Sequence, residues 1–173
     1  MRTTSGILAD VDETLNVLGL AERTHELLMP RAAARWPKDR PRPTLTVLEL
    51  LIDGTPFLDM VHARRPGYSL RSPLWVGYPR ILQSHARALV GEAPSDLAAD
   101  DPPDHVALLM CPSCGTGGCG VLSARLLRRS GRVQWTDIGR QVPDLGDLGT
   151  LTFDADQYAA TLRPLAELLP CGD

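Results

Sequence analysis

Three of the chain's four cysteines fall within nine residues, in the stretch Cys111-Pro112-Ser113-Cys114-Gly115-Thr116-Gly117-Gly118-Cys119-Gly120. Zinc takes soft thiolates that converge tetrahedrally at about 2.3 Å. A Cys-x-x-Cys followed by glycine suits that demand, because the glycine lets the backbone turn until both sulfurs point inward. A second short Cys-Gly, Cys119-Gly120, follows at the mouth of the next expected strand, so the two halves should face each other across a hairpin end. The fourth ligand has two candidates, Cys171 and His105. An extended run from residue 105 to residue 111 spans about 20 Å, which favours Cys171. The expected metal ligands are therefore Cys111, Cys114, Cys119 and Cys171, and the expected cofactor is zinc. Three ligands and an open fourth position would also fit a catalytic zinc. The alternative chemistry is a thiol-dependent enzyme, redox or nucleophilic, in which Cys114 or Cys119 is a thiolate stabilised by the N–H groups of the glycine-rich turn. Thiol pairs of that kind sit at helix N-termini, whereas glycines and a strand follow here. A third reading makes the cysteines small buried residues in a tight turn.

A carboxylate pair lies far upstream, in Ile7-Leu8-Ala9-Asp10-Val11-Asp12-Glu13-Thr14-Leu15. This stretch resembles the first motif of haloacid-dehalogenase-type phosphatases. The resemblance implies a nucleophilic Asp10, an acid/base Asp12, a magnesium ion bridging both to phosphate, and Thr14 fixing the loop. It covers nine residues, and the later lysine of that family has only Lys38 to match it. Read from the residues alone, Asp10 is a helix N-cap with Glu13 in the capping-box position.

Lys38 is the single lysine among 18 basic residues, and it sits in the proline-broken stretch Trp36 to Pro43. Schiff-base or P-loop chemistry thus has one poorly placed candidate. The formal charge of −3 provides no positive field for a polyanion, which argues against nucleic-acid binding. No apolar run reaches the roughly 18 to 20 residues of a bilayer span, and the first residues lack a signal-peptide pattern, so a soluble cytoplasmic protein is expected. His25, His62 and His85 are scattered without ligand spacing. Trp135 alternates with Val133 on an expected strand and reads as core. Arg64-Arg65 and Arg128-Arg129 read as solvated charges.

The elements that must position these residues follow from periodicity and turn chemistry. Val11, Leu15, Leu18, Leu20, Leu27 and Leu28 recur at mostly helical spacing and predict a helical segment over residues 10 to 35. Leu45 to Ile52 is nearly continuously apolar and predicts a strand covered on both faces. Asp53-Gly54 predicts a tight turn, with Thr55 to Val61 as its return strand. Residues 62 to 78 read as irregular, Tyr78-Pro79 opens a helix that closes at Gly91, and Glu92 to Asp104 reads as an acidic surface loop. Val106 to Met110, Val121 to Arg129 and Val133 to Asp137 are expected strands, the last two joined by Ser130-Gly131. A helix should run from Ala155 to Leu169 with Asp154 as N-cap and Gln157 in the capping-box position. The sum is an α+β fold, an antiparallel sheet of hairpins with an N-terminal helical segment, a middle helix and a C-terminal helix. Residues 1 to 40 read as the helical segment with its linker, and 41 to 173 as the α+β domain. The broad leucine face of the helical segment predicts docking on a protein partner, most simply a second copy in a homodimer.

From Pro43 onward the chain also resembles a group of small actinobacterial proteins. The matching features are Leu48 to Asp59, Ile81 to Gly91, the Cys-Gly-rich segment Ala107 to Leu122, Arg125, Trp135 and the stretch Leu148 to Tyr158. The resemblance brings no activity with it.

Overall fold

The apolar run at Leu45 to Ile52 forms most of β2 (Thr44–Ile52), which is flanked by β1 (Leu18–Glu26) on one edge and the two-residue β3 (Thr55–Pro56) on the other. The computed structural model describes residues 14–27, 37–67, 69–95, 102–112, 120–139, 142, 145–146 and 148–168. β1 pairs antiparallel with β2 along its whole length, from Leu18 opposite Ile52 to Glu26 opposite Thr44. This corrects the helical segment expected over residues 10 to 35: residues 18 to 26 are a strand, and the first helix among the described residues begins at Phe57. Leu18 and Leu20, two apart, both turn to the core, as a strand requires. A nine-residue ladder outweighs helix preferences worth only tenths of a kcal/mol, roughly, per residue. The leucines expected to cover a partner thus partly cover the protein's own interior, although Leu15 remains 41% exposed. Residues 10–13 and 28–36 of that expected helix lie outside the described residues. Leu27 N–H donates to the Pro43 carbonyl at 2.9 Å, so the proline-rich stretch closes onto the end of the β1–β2 ladder. β1, within the expected 1–40 segment, and β2, within 41–173, share one sheet.

Asp53 and Gly54 adopt φ of 52° and 80°, as the two-residue turn requires. The expected return strand to Val61 stops at Pro56, which lacks an N–H to extend the ladder. The chain instead enters α1 (Phe57–Arg64), which buries Phe57, Leu58 and Val61. α2 (Pro79–Leu89) starts with proline at its first turn, and Gly91 beyond its end has φ of 72°. Of the acidic loop expected over Glu92 to Asp104, residues 96–101 lie outside the described residues.

The second sheet is antiparallel throughout, in the order β4 (His105–Met110), β5 (Val121–Arg129), β6 (Arg132–Thr136), β7 (Leu151–Asp154). Every residue of β4 is buried. β7, four residues long, was too short to stand out by alternation. α3 (Ala155–Ala166) follows it without a break, capped by Asp154, whose carboxylate accepts from the N–H groups of Asp156 at 3.0 Å and Gln157 at 2.9 Å. The Gln157 side chain does not fold back as a capping box. It bridges to β1, donating to the Leu18 carbonyl at 2.7 Å and accepting from the Leu18 N–H at 3.2 Å.

Two seams join the sheets. Residues 70 to 76, expected to be irregular, lie between β2 and β4: Arg71 and Met110 exchange both backbone hydrogen bonds at 2.8 Å, and Leu48 N–H donates to the Leu74 carbonyl at 2.8 Å. On the opposite side Asn16 N–H donates to the Thr152 carbonyl at 2.6 Å, and its side chain accepts from Thr152 N–H at 3.1 Å. The core between sheets and helices contains Trp135, as expected, with its ring 4.9 Å from Phe153 and 6.1 Å from both Phe57 and Tyr158. Among the described residues no helix is long and apolar enough to cross a membrane.

Candidate functional site

β4 carries Cys111 to the mouth of the β4–β5 hairpin. One step past the Met110–Val121 pair, Cys111 N–H donates to the Gly120 carbonyl at 3.1 Å, so the ladder holds both ends of the cysteine-bearing connection together. The Cys111 thiol has no disulfide partner among the described residues and is half-buried, packed against the core. Of the four expected ligands only Cys111 is described; Cys114, Cys119 and Cys171 lie outside the described residues, as do Asp10 and Asp12. Thr14 is exposed. Among the described residues no group of three or more His, Cys, Asp or Glu side chains is arranged to hold a metal ion. His105, the other candidate ligand, stands at the far end of β4 with Nδ1 3.2 Å from the Asp104 carboxylate.

A buried charge cluster escaped the sequence reading. Glu49 interrupts the apolar run of β2 and is only 4% exposed. Its carboxylate lies 2.8 Å from His25 Nε2 and 3.1 Å from an Arg23 guanidinium nitrogen. Arg23 and His25 sit two apart on β1, opposite Val47 and Leu45, so they share the face of Glu49. Arg71, from the seam segment, adds its positive field. Burial lowers the His25 pKa, Arg71 pushes the same way, and Glu49 opposes both. Burial also lowers the Arg71 pKa, against the raising influence of Glu49. A carboxylate taken out of water needs such partners. The cluster clamps β1 to β2, and its one local sequence signal is an acid inside an apolar run.

A cleft of about 510 Å³ opens beside the end of α2 and the adjoining edges of β4 and β5, lined by Glu92, Ser95, Asp104, His105, Leu126 and Arg128 among others. The β4–β5 register sets His105 opposite Arg125. Arg125 Nε donates to Asp104 at 2.5 Å, while the other Asp104 oxygen meets His105 Nδ1. The hydrogen bond from Arg125 is the main cause that lowers the Asp104 pKa. Arg128 donates to the Val90 carbonyl at 2.5 Å, and its guanidinium lies 5.9 Å from the centre of the Tyr158 ring. Ser95 Oγ accepts from the Ala107 N–H at 3.3 Å.

Comparison with protein-family models, with curated proteins and with solved structures finds no match to this chain.

Proposed function

We propose that the protein is a small intracellular binding or accessory protein whose β4–β5 hairpin is closed by zinc through Cys111, Cys114, Cys119 and Cys171. One observation carries the reading: the backbone bond from Cys111 to Gly120 draws together the two ends of a connection that contains three cysteines. A Cys-x-x-Cys and a Cys-Gly at opposite ends of a paired loop is the arrangement that a tetrahedral thiolate site needs. Zinc here is structural, binding free energy being folding free energy. A second copy remains the simplest partner, since two-fold dimers are the commonest oligomers. It would meet this chain at Leu15 and Val17, which are 41% and 55% exposed ahead of β1.

Cobalt substitution tests the site. Full-length protein refolded with cobalt(II) is expected to give the intense visible bands of a tetrahedral thiolate complex, weakened in Cys114→Ser. A weak octahedral spectrum identical in both proteins overturns the reading. The same protein then reports on the thiol-dependent alternative: alkylation at an ordinary midpoint near pH 8.5, or about that value, leaves no activated thiol.

A further inference from the structure

We propose that the outward edge of β1, from Leu20 to Glu26, takes up an extended segment of a protein partner as an added strand, with a basic side chain of that segment opposite Glu22. The proposal names a surface for the binding protein inferred above and rests on that reading, but not on its zinc.

Hydrogen bonds at both ends of β1 fix which way its backbone groups point. The Val17 carbonyl accepts from Asp53 N–H at 2.9 Å, and Leu27 N–H donates to the Pro43 carbonyl at 2.9 Å. The odd-numbered residues between them therefore turn their N–H and C=O groups toward β2, and the even-numbered residues turn theirs away. Leu18 spends its outward groups on α3: its N–H donates to the Gln157 side chain at 3.2 Å, and its carbonyl accepts from Gln157 at 2.7 Å and Thr161 at 3.3 Å. Beyond Leu18 the outward groups of Leu20, Glu22, Thr24 and Glu26 have no backbone partner among the described residues, and Glu22, Thr24 and Glu26 are exposed.

This edge is regular as well as open. Its register with β2 has no bulge and it contains no proline, the usual means of blunting an edge strand, so charge is what selects its occupant. A second copy would pair about a two-fold axis, and because outward residues must pair with outward residues, that axis falls on a residue. Centred on Glu22 it sets Glu22 against its own copy, on Arg23 it sets Arg23 against its own copy, and on Thr24 it sets Glu22 against the copy of Glu26. Like charges directly opposite destabilise a strand pair, so β1 is a poor partner for itself.

A segment of different sequence escapes that conflict. Arg23 is held by Glu49 at 3.1 Å and Glu26 by Arg42 at 2.8 Å, whereas Glu22 has no ion-pair partner among the described residues. The strand that fits carries Lys or Arg opposite Glu22 and an apolar residue opposite the half-buried Leu20. Leu15 and Val17, where a second copy is proposed to dock, precede Leu18 in the chain and form a separate surface.

The probe is the end-blocked peptide Thr-Thr-Val-Thr-Lys-Thr-Val, titrated into full-length nitrogen-15-labelled protein beside the same peptide with Glu in place of Lys. Saturable shifts at the amides of Leu20, Glu22, Thr24 and Glu26 are expected, with the lysine peptide bound about two- to five-fold more tightly. Glu22→Lys should reverse that preference. Thr24→Pro removes an outward N–H and leaves the β1–β2 ladder whole, losing besides only the exposed hydroxyl contact to Thr46, which Thr24→Val loses as well. Thr24→Pro should weaken the lysine peptide by about ten-fold or more, through the lost hydrogen bond and the obstructing ring, while Thr24→Val binds as the parent does. If Thr24→Pro does not fold, the reversal in Glu22→Lys decides. No saturation by the lysine peptide, equal affinity in folded Thr24→Pro and Thr24→Val, an unreversed preference in Glu22→Lys, or edge amides already protected by self-association of the parent protein each overturns the proposal.

Discussion

Trp135 donates its indole N–H to the Tyr158 hydroxyl at 3.1 Å, and Tyr158 donates onward to the Leu89 carbonyl at 3.0 Å. Both side chains are fully buried, and burial pushes the Tyr158 phenol far above its usual range, so it stays a neutral donor. This relay ties β6 to α3 and α3 to the last turn of α2, next to the cleft wall.

Tyr158→Phe keeps the ring and deletes the relay. It leaves the Trp135 N–H and one Leu89 carbonyl lone pair unsatisfied inside the core. A loss of about 1 to 3 kcal/mol is expected, with the urea midpoint lowered and the slope unchanged. A midpoint within error of the parent protein would show that the relay contributes nothing to stability.

The Asp154 carboxylate accepts two of the otherwise unpaired N–H groups at the start of α3. Asp154→Ala should cost about 1 kcal/mol, and Asp154→Asn, which keeps an acceptor oxygen, should recover most of it. Equal destabilisation by both variants would place the role of Asp154 elsewhere than in the cap.

Acid should weaken the fold in two stages. The His25 pKa in the folded state lies below its ordinary 6.5, so as pH falls through that value the unfolded chain takes up a proton before the folded one does. The stability from keeping His25 neutral is complete above pH 6.5 and is lost as pH falls through its lower folded value. The Asp104 pKa is likewise lowered, and its contribution is lost as pH falls below the ordinary carboxylate value of 3.8. Melting temperatures from pH 8 downward check the sign, and His25→Gln, which retains a donor for Glu49, should flatten the first stage. A melting temperature that rises between pH 6.5 and 5 would contradict it.

What the sequence disclosed was local chemistry. Asp53-Gly54 and Ser130-Gly131 adopt positive φ where hairpin turns need it, Pro79 opens α2, and Asp154 caps α3. What it concealed was pairing between distant segments. Leu15 and Leu18, three apart, lead into β1 at a spacing compatible with a helix, and the ladder with β2 makes residues 18 to 26 a strand. The Glu49 cluster depends on the same register, since His25 and Glu49 are 24 residues apart. The cleft is an intermediate case. Asp104 and His105 adjoin in sequence, but Arg125 reaches them only through the β4–β5 register, and Arg128 is placed by contacts to Val90 and Tyr158. Side chains that serve a site across strands leave no periodic trace on any one strand.

The zinc content of full-length protein purified without added metal tests the central claim most directly. About one zinc per chain, with a melting temperature that falls when a chelator strips it, is the expected result, because a structural zinc contributes folding free energy. Less than about 0.3 zinc per chain, together with a melting temperature unmoved by chelator, would contradict the zinc-closed hairpin.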